Sequence, residues 1–153
     1  MARGARILIT AAVAAVGISL APELAPPTDA ASCVKIYEIY YDSPGSDTGS
    51  NSSLNAEWIQ LRSTCSVDRS LTGWRIRDAS NHWYTFGTYT LRAGTKVKIH
   101  TGSGSNSRTD RYQGRGWYIW NNTGGDKGFL YNSAGSTVDT CAFSGGSPGY
   151  VYC

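Results

Sequence analysis

The chain has 153 residues and a formal net charge of +3, from 14 lysines and arginines against 11 aspartates and glutamates. That length is enough for one domain with a modest core, and that charge is far short of what a dedicated polyanion binder carries. The 18 glycines, the many serines, threonines and tyrosines, and the scarcity of helix formers beyond the N-terminal segment indicate an all-β domain with many turns.

Residues 1–30 have the pattern of a secretory signal peptide. Two arginines precede an apolar, alanine-rich stretch at 7–21, which is too short to cross a membrane comfortably. Small residues follow, and they favour cleavage after Ala30 and export of the remaining chain. A retained membrane anchor is one alternative. A lipoprotein modified at Cys33 is another, but the sequence lacks the large aliphatic residue expected three places before such a cysteine.

Four cysteines remain after such a cleavage, at Cys33, Cys65, Cys141 and Cys153. Their even number in an exported chain predicts two disulfides, and no Cys-x-x-Cys pair of the zinc-binding kind is present in the sequence. If the first two strands pair as a hairpin, Cys33 falls beside Cys65, and Cys141 is left to bind Cys153 in the tail. An inter-sheet bridge between Cys65 and Cys141 is the alternative.

Eight short strands with alternating apolar and polar residues are predicted, at 34–41, 56–62, 71–78, 82–86, 95–101, 117–121, 128–131 and 137–143. In the first strand, the alternation places Tyr37, Ile39 and Tyr41 toward the core. The expected register of the first pair puts Asp42 opposite Glu57, with Glu57 near the edge. The predicted core residues are Ile59, Leu61, Trp74, Ile76 and Phe86.

A long polar loop at 42–55 joins the first two predicted strands. It supplies oxygen ligands that could bind calcium, at Asp42, Asp47, Asn51 and Asn55. It lacks the glutamate that closes a typical twelve-residue calcium loop, so an ordinary polar loop is the favoured interpretation.

A second long loop at 102–116 is rich in glycine and serine and carries three arginines, Arg108, Arg111 and Arg115. With Tyr112 and Trp117 nearby, these arginines could contact phosphate or single-stranded nucleic acid. Because the overall charge is low and Asp110 partly neutralises the loop, a solvated loop is favoured over a nucleic-acid site.

Six motifs in order resemble the lamin tail domain, and its bacterial secreted members most closely. They are Leu-Thr-Gly-Trp-Arg-Ile-Arg-Asp at 71–78, Tyr-Thr-Phe at 84–86, Leu-Arg-Ala-Gly at 91–94, His-Thr-Gly at 100–102, Trp-Asn-Asn at 120–122 with Gly-Asp at 125–126, and Leu-Tyr-Asn at 130–132. The resemblance covers 34–143 and implies an immunoglobulin-like β-sandwich that serves as an interaction module without catalytic residues. Lamins carry a coiled-coil rod before this domain, and no heptads are present here, so a filament role is not implied.

The predicted organisation is therefore a signal peptide at 1–30, a lamin-tail-like sandwich at 31–147 and a disulfide-tied tail at 148–153. We expect a secreted, monomeric, non-enzymatic binding or structural module with no cofactor, no metal and no membrane span in the mature chain. The partner is expected to be an extracellular protein or polysaccharide rather than nucleic acid. Alternatives are a glycan or cell-wall adhesin and an accessory domain of extracellular polymer hydrolysis.

Two sets of side chains bear on the ligand. His82 and His100 come from different predicted strands, and they are expected to be structural or surface residues, with His100 on a solvated face. Some aromatic residues must lie outside a sandwich of this size, and the candidates are Tyr37, Tyr40, Trp58, Trp83 and Tyr118. They could form a platform for sugars, although cross-strand aromatic pairing explains them equally well.

Overall fold

A computed structural model describes residues 33–153; the predicted signal peptide lies outside them. The described elements, in chain order, are β1 (Val34–Tyr40), α1 (Asn51–Asn55), β2 (Trp58–Ser63), β3 (Arg69–Ser70), β4 (Arg75–Arg77), β5 (Trp83–Thr85), β6 (Thr90–Leu91), β7 (Lys96–His100), β8 (Asp110–Tyr112), β9 (Thr123–Tyr131), β10 (Thr137–Gly145) and β11 (Tyr150–Tyr152). Within 33–153, no helix has the length and apolar character needed to cross a membrane.

Two sheets form a β-sandwich, as the sequence predicted. Five strands make one sheet in the spatial order β11-β1-β2-β7-β8, and four make the other in the order β10-β9-β4-β5. All neighbouring pairs in these sheets are antiparallel except β7 and β8. A small third sheet pairs β3 with β6. The fold prediction is confirmed, and the sandwich leaves one broad outer face on each of the two larger sheets.

One hydrophobic core fills the space between the sheets. The five residues predicted to form it are all buried within it: Ile59, Leu61, Trp74, Ile76 and Phe86. Trp74 lies just before β4, where its backbone N–H donates to the carbonyl of Leu71 and its carbonyl accepts from the N–H of Phe86, both at 2.9 Å. These hydrogen bonds fix the main chain at Trp74, and the indole packs into the core.

A β-bulge in β1 makes the predicted orientation of its first half wrong. Ile36 pairs with Leu61 and Glu38 with Gln60, so Tyr37 is an extra residue with no Cα partner in that ladder. The bulge reverses the alternation, because one inserted residue moves every later side chain to the other face. Ile36 and Ile39 are consequently buried, whereas Tyr37 is only half-buried.

The register of the first pair also differs from the expected one. Tyr40 pairs with Trp58, whereas Asp42 opposite Glu57 would have paired Tyr40 with Ile59. The shift brings the aromatic rings of Tyr40 and Trp58 together. Their centroids lie 5.5 Å apart.

Several segments have a different secondary structure from the one predicted. Residues 117–121 form no strand, because the N–H of Ile119 donates to a side-chain carboxylate instead of a strand ladder. The loop at 42–55 contains α1, whose N-cap Ser50 accepts from the N–H of Ser53. The loop at 102–116 contains β8, and the predicted tail contains β11. Strand β9 begins at Thr123, earlier than the strand predicted at 128–131.

Two disulfides tie the chain ends to the sandwich. Cys33 is bonded to Cys65, and Cys141 of β10 is bonded to Cys153, which directly follows β11. This is the pairing favoured by the hairpin argument, and the alternative bridge between Cys65 and Cys141 is absent from the described chain. The second disulfide links the two sheets and holds β11 against β1.

Candidate functional site

Aromatic side chains at paired positions of all five strands form a row across the outer face of the five-stranded sheet, with ring contacts from β11 to β2 and from β7 to β8. Tyr150 of β11 pairs with Tyr40, Tyr40 with Trp58, Trp58 with His100, and His100 with Tyr112 of β8. Ring centroids are 5.7 Å apart for Tyr150 and Tyr40, 5.5 Å for Tyr40 and Trp58, and 5.0 Å for His100 and Tyr112. With neighbouring strands about 4.8 Å apart, the row is about 19 Å long.

Two further tyrosines extend this row along β1 and β11. The ring of Tyr152 makes edge contacts with Tyr150 at 5.6 Å and with Tyr37 at 5.5 Å. The bulge accounts for the outward position of Tyr37, and the alternation of β11 places Tyr150 and Tyr152 on one face. We call the combined surface the aromatic face; its members are Tyr37, Tyr40, Trp58, His100, Tyr112, Tyr150 and Tyr152.

The exposed part of the aromatic face lies on the β1–β11 side. Trp58 is only 8% exposed, and the Lys98 ammonium lies 3.8 Å from its ring centroid, whereas Tyr152 is 61% exposed. The Lys96 ammonium similarly lies 3.4 Å from the ring centroid of Tyr37. A ligand would therefore meet the tyrosines of β1 and β11 first, with Trp58 supporting them from below.

The aromatic face carries both positive and negative groups. Glu38 pairs with Tyr152 across the strands, and burial raises the pKa of its carboxyl, while the charges of Lys98 and Lys96 act in the opposite direction. At the far end, hydrogen bonds from His100 and Thr109 lower the pKa of Asp110. Cations and carboxylates are thus interspersed on this face.

His100 is held within the structure, so the prediction of a solvated face for it is wrong. Its Nδ1 lies 2.7 Å from the carbonyl oxygen of Asn55, and its Nε2 lies 3.0 Å from Oδ1 of Asp110. Both partners are acceptors, so both hydrogen bonds form only when the ring is doubly protonated. His100 therefore links α1, β7 and β8 beneath one end of the aromatic row.

His82 belongs to the other sheet and is not brought near His100. Its Nδ1 lies 2.5 Å from Oδ2 of Asp78, and the backbone N–H of His82 donates to Oδ1 of the same carboxylate at 2.7 Å. Asp78 is fully buried, so this pair fixes the turn between β4 and β5. A structural role explains His82 completely.

The environment of Glu57 differs strongly from the one predicted from the sequence. It was expected near an edge, but it is fully buried, with Oε1 accepting from Oγ1 of Thr101 at 2.7 Å and from the N–H of Ile119 at 2.9 Å. Burial raises the pKa of Glu57 to about 7, against the opposing effect of these hydrogen bonds. Its Oε2 has no hydrogen-bond partner in the described chain. Glu57 therefore anchors the irregular segment 117–121 from inside the protein.

The four residues considered for calcium do not converge on one point. Asp42 and Asp47 each accept a hydrogen bond from Nδ2 of Asn122 at 3.0 Å, which pins their loop to the start of β9. The side-chain amides of Asn51 and Asn55 both donate to the carbonyl of Ser103 at 2.9 Å. No group of three or more His, Cys, Asp or Glu residues within 33–153 is arranged to hold a metal ion.

The three arginines of the second loop are also dispersed. The Arg111 guanidinium stacks 4.2 Å from the ring centroid of Tyr89, and Arg115 donates to the carbonyl of Trp83 at 2.7 Å. Arg108 lines a shallow cavity of about 140 Å³ near β6. Of the two aromatic residues considered with them, Tyr112 belongs to the aromatic face, and Trp117 is 65% exposed in its loop. The structure assembles no single phosphate site from this loop.

Comparison with known proteins identifies a family. A family model described as Lamin Tail Domain matches residues 27–145. No curated protein matches the sequence significantly. The matched range includes every described strand except β11, so Tyr150, Tyr152 and Cys153 lie beyond it. The strand that completes the aromatic face is therefore outside the matched region.

Proposed function

The chain belongs to the lamin tail domain family, and on that premise we propose that it is an extracellular, non-catalytic module that binds polysaccharide through its aromatic face. Membership supports a binding or structural module of immunoglobulin-like fold. The observation that carries the ligand class is the row of aromatic side chains at paired positions on the five strands, in which the rings of Tyr150, Tyr40 and Trp58 are stacked side by side. Fold alone could not supply it, because the same fold serves many functions.

The chemistry of the aromatic face fits a sugar chain. The rings of Tyr40, Trp58 and Tyr150 are aligned, with 27° between the first two planes and 16° between Tyr40 and Tyr150. Aromatic faces pack against the apolar C–H surfaces of sugars, while tyrosine hydroxyls and the neighbouring Gln60 and Glu38 supply hydrogen-bonding groups for sugar hydroxyls. The four tyrosines of β1 and β11 lie next to one another, which fits an extended ligand rather than a single small molecule.

An extracellular location is supported by the cysteines. Two disulfides, with no free cysteine in the described chain, are typical of an oxidising compartment. The N-terminal sequence has the signal-peptide pattern described above, and we propose cleavage after Ala30. Intact mass of the protein recovered from culture medium tests this: a chain beginning at Ala31 is expected, and a full-length or lipid-modified chain would contradict export in this form.

The chemistry of Glu57 supports a non-catalytic role. It is the carboxyl in the described chain with a pKa raised to about 7, a property common among catalytic acids and bases. However, Glu57 is fully buried and uses its Oε1 to hold Thr101 and Ile119, so a substrate cannot reach it. We attribute its raised pKa to structural burial.

The test is binding to immobilised polysaccharides, using laminarin, xylan, galactomannan, cellulose, chitin and peptidoglycan as probes. The wild-type protein is expected to be retained by at least one of them. The double variant Tyr40→Ala/Tyr150→Ala should reduce retention about tenfold or more, because it removes two neighbouring rings of the row. The control is Trp117→Ala, which removes a more exposed aromatic ring from a loop outside the aromatic face. Retention that is equal in all three proteins, or absent in the wild type, would reject the proposal.

A further inference from the structure

The outer face of the four-stranded sheet carries three cations interleaved with three aromatic rings. Arg77 pairs with Trp83 on one side and Phe129 on the other, and Arg75 pairs with Tyr131 in the next row. The alternation of β9 places Lys127 on the same side as Phe129 and Tyr131. We call this surface the arginine face; its members are Arg75, Arg77, Trp83, Lys127, Phe129 and Tyr131.

Within residues 33–153, no carboxylate of the four-stranded sheet balances the positive charge of the arginine face. The four strands of this sheet contain two acidic residues, Asp126 and Asp139. Asp126 is buried and accepts from the backbone N–H groups of Ala79 and Lys127. Asp139 turns toward the other sheet, where it accepts from the N–H of Ile36 and lies 3.8 Å from the ammonium of Lys35. Both carboxylates are therefore occupied away from this face.

The guanidinium groups are held in place but keep free N–H donors. Arg77 lies 3.8 Å from the ring centroid of Phe129, donates from Nε to the hydroxyl of Tyr131 at 3.1 Å, and donates from one terminal nitrogen to the carbonyl of Asp78 at 2.9 Å. Its other terminal nitrogen has no partner within 33–153. The Arg75 guanidinium lies 5.0 Å from the ring centroid of Trp83 and has no hydrogen-bond partner within the described residues.

We propose that the arginine face binds an acidic polysaccharide through its carboxylate groups. A guanidinium edge matches the two oxygens of a carboxylate, and stacking on aromatic rings fixes the guanidinium before the ligand arrives, which lowers the entropic cost of binding. Trp83, which is 40% exposed, supplies an apolar surface beside these cations for a sugar ring. The aromatic face is less suited to this ligand, because it carries carboxylates of its own at Glu38 and Asp110.

This site is independent of the one proposed above, because the two surfaces lie on opposite sheets of the sandwich. The probe is polygalacturonate, and its fully methyl-esterified form is the matched ligand without charge. Binding is measured by affinity gel electrophoresis and by calorimetry, each at low salt and at 0.5 M salt. We expect the acidic polymer to bind, binding to weaken in high salt because exposed charges are screened, and the methyl ester not to bind.

The double variant Arg75→Gln/Lys127→Gln tests whether these two cations contribute to binding. It should weaken binding to polygalacturonate about tenfold or more, since it removes two of three cations. The control Arg92→Gln/Arg108→Gln removes the same charge from exposed loop residues elsewhere and should leave affinity within about twofold. Arg75→Lys, which keeps the charge but loses the planar fork, should give an intermediate loss. Thermal melting of each variant shows whether the fold is retained.

Five outcomes would overturn the proposal. The first four are absence of binding to polygalacturonate, equal binding of the methyl ester, an equal loss in both double variants, and binding of single-stranded oligothymidylate but not of polygalacturonate. An equal loss in both double variants would show that binding depends only on the net charge of the protein. The fourth would assign the face to nucleic acid. Loss of polygalacturonate binding in Tyr40→Ala/Tyr150→Ala but not in Arg75→Gln/Lys127→Gln would also overturn it, by moving the acidic ligand to the aromatic face.

Discussion

Burial of Glu57 makes the stability of the protein depend on pH. The pKa of this carboxyl is about 7 in the folded chain and 4.5 as its ordinary value. Between these values the folded chain holds a proton that the unfolded chain has released, so the free energy of unfolding falls as the pH rises from 4.5 to 7. The loss amounts to about 3 kcal/mol, because each pH unit between the two values corresponds to about 1.4 kcal/mol.

The variant Glu57→Gln isolates this effect. The amide cannot titrate, and its oxygen can still accept from Thr101 and Ile119. Urea denaturation followed by tryptophan fluorescence at pH values from 4.5 to 8 gives the free energy of unfolding of both proteins. The difference, wild type minus Glu57→Gln, is expected to fall by about 3 kcal/mol between pH 4.5 and 7.5 and then to level off. Parallel curves for the two proteins would refute the assignment of a raised pKa to Glu57.

Three further changes test the packing of the sandwich. Trp74→Ala should destabilise the protein by about 3–5 kcal/mol in urea denaturation, because a buried indole is removed, and a wild-type midpoint would contradict its place in the core. Gly128→Ala should cost about 1–3 kcal/mol by the same assay, since the added Cβ would lie 2.9 Å from Cδ1 of Ile39 and 3.3 Å from Cδ1 of Ile59; an unchanged midpoint would mean that these side chains move aside without strain. Cys141→Ser/Cys153→Ser should lower stability by about 2–3 kcal/mol and speed hydrogen exchange in β11, and unchanged exchange there would show that strand pairing alone holds it.

The sequence was sufficient to predict the sandwich and its core, because those follow from local alternation. Ile59 and Leu61 alternate on one strand, and both are buried. Glu57 follows the same alternation, but it was predicted near the edge of the sheet because a carboxylate is rarely buried. Its hydrogen-bond partners, Thr101 and Ile119, are 44 and 62 residues away in the chain. The sequence around Glu57 therefore could not indicate that a buried carboxyl would find hydrogen-bond donors.

The two outer faces depended on strand register, which local patterns do not determine. The bulge at Tyr37 arises from pairing with β2, and β8 lies beside β7 in parallel, a pairing without a hairpin signal. β11 was a different case, since Tyr-Val-Tyr at 150–152 alternates like a strand and is rich in residues that favour strands. The alternation therefore did indicate a strand. The segment was predicted as a tail because it lies near the C-terminus, where chains are often poorly ordered.

The arginine face shows the same limit on the other sheet. Arg75 and Arg77 alternate around Ile76, and Phe129 and Tyr131 alternate around Leu130, so each strand alone has an ordinary half-buried pattern. Only the pairing of β4 with β9 sets the arginines against the aromatic rings. The cluster is a product of topology.

Retention on the polysaccharide panel, comparing the wild-type protein with Tyr40→Ala/Tyr150→Ala, tests the central claim most directly. The proposed function predicts that the wild type is retained by at least one polymer, that the double variant loses this retention, and that Trp117→Ala keeps it. If the wild type binds none of the polymers, or if the double variant binds as tightly as the wild type, the aromatic face is not a polysaccharide-binding surface.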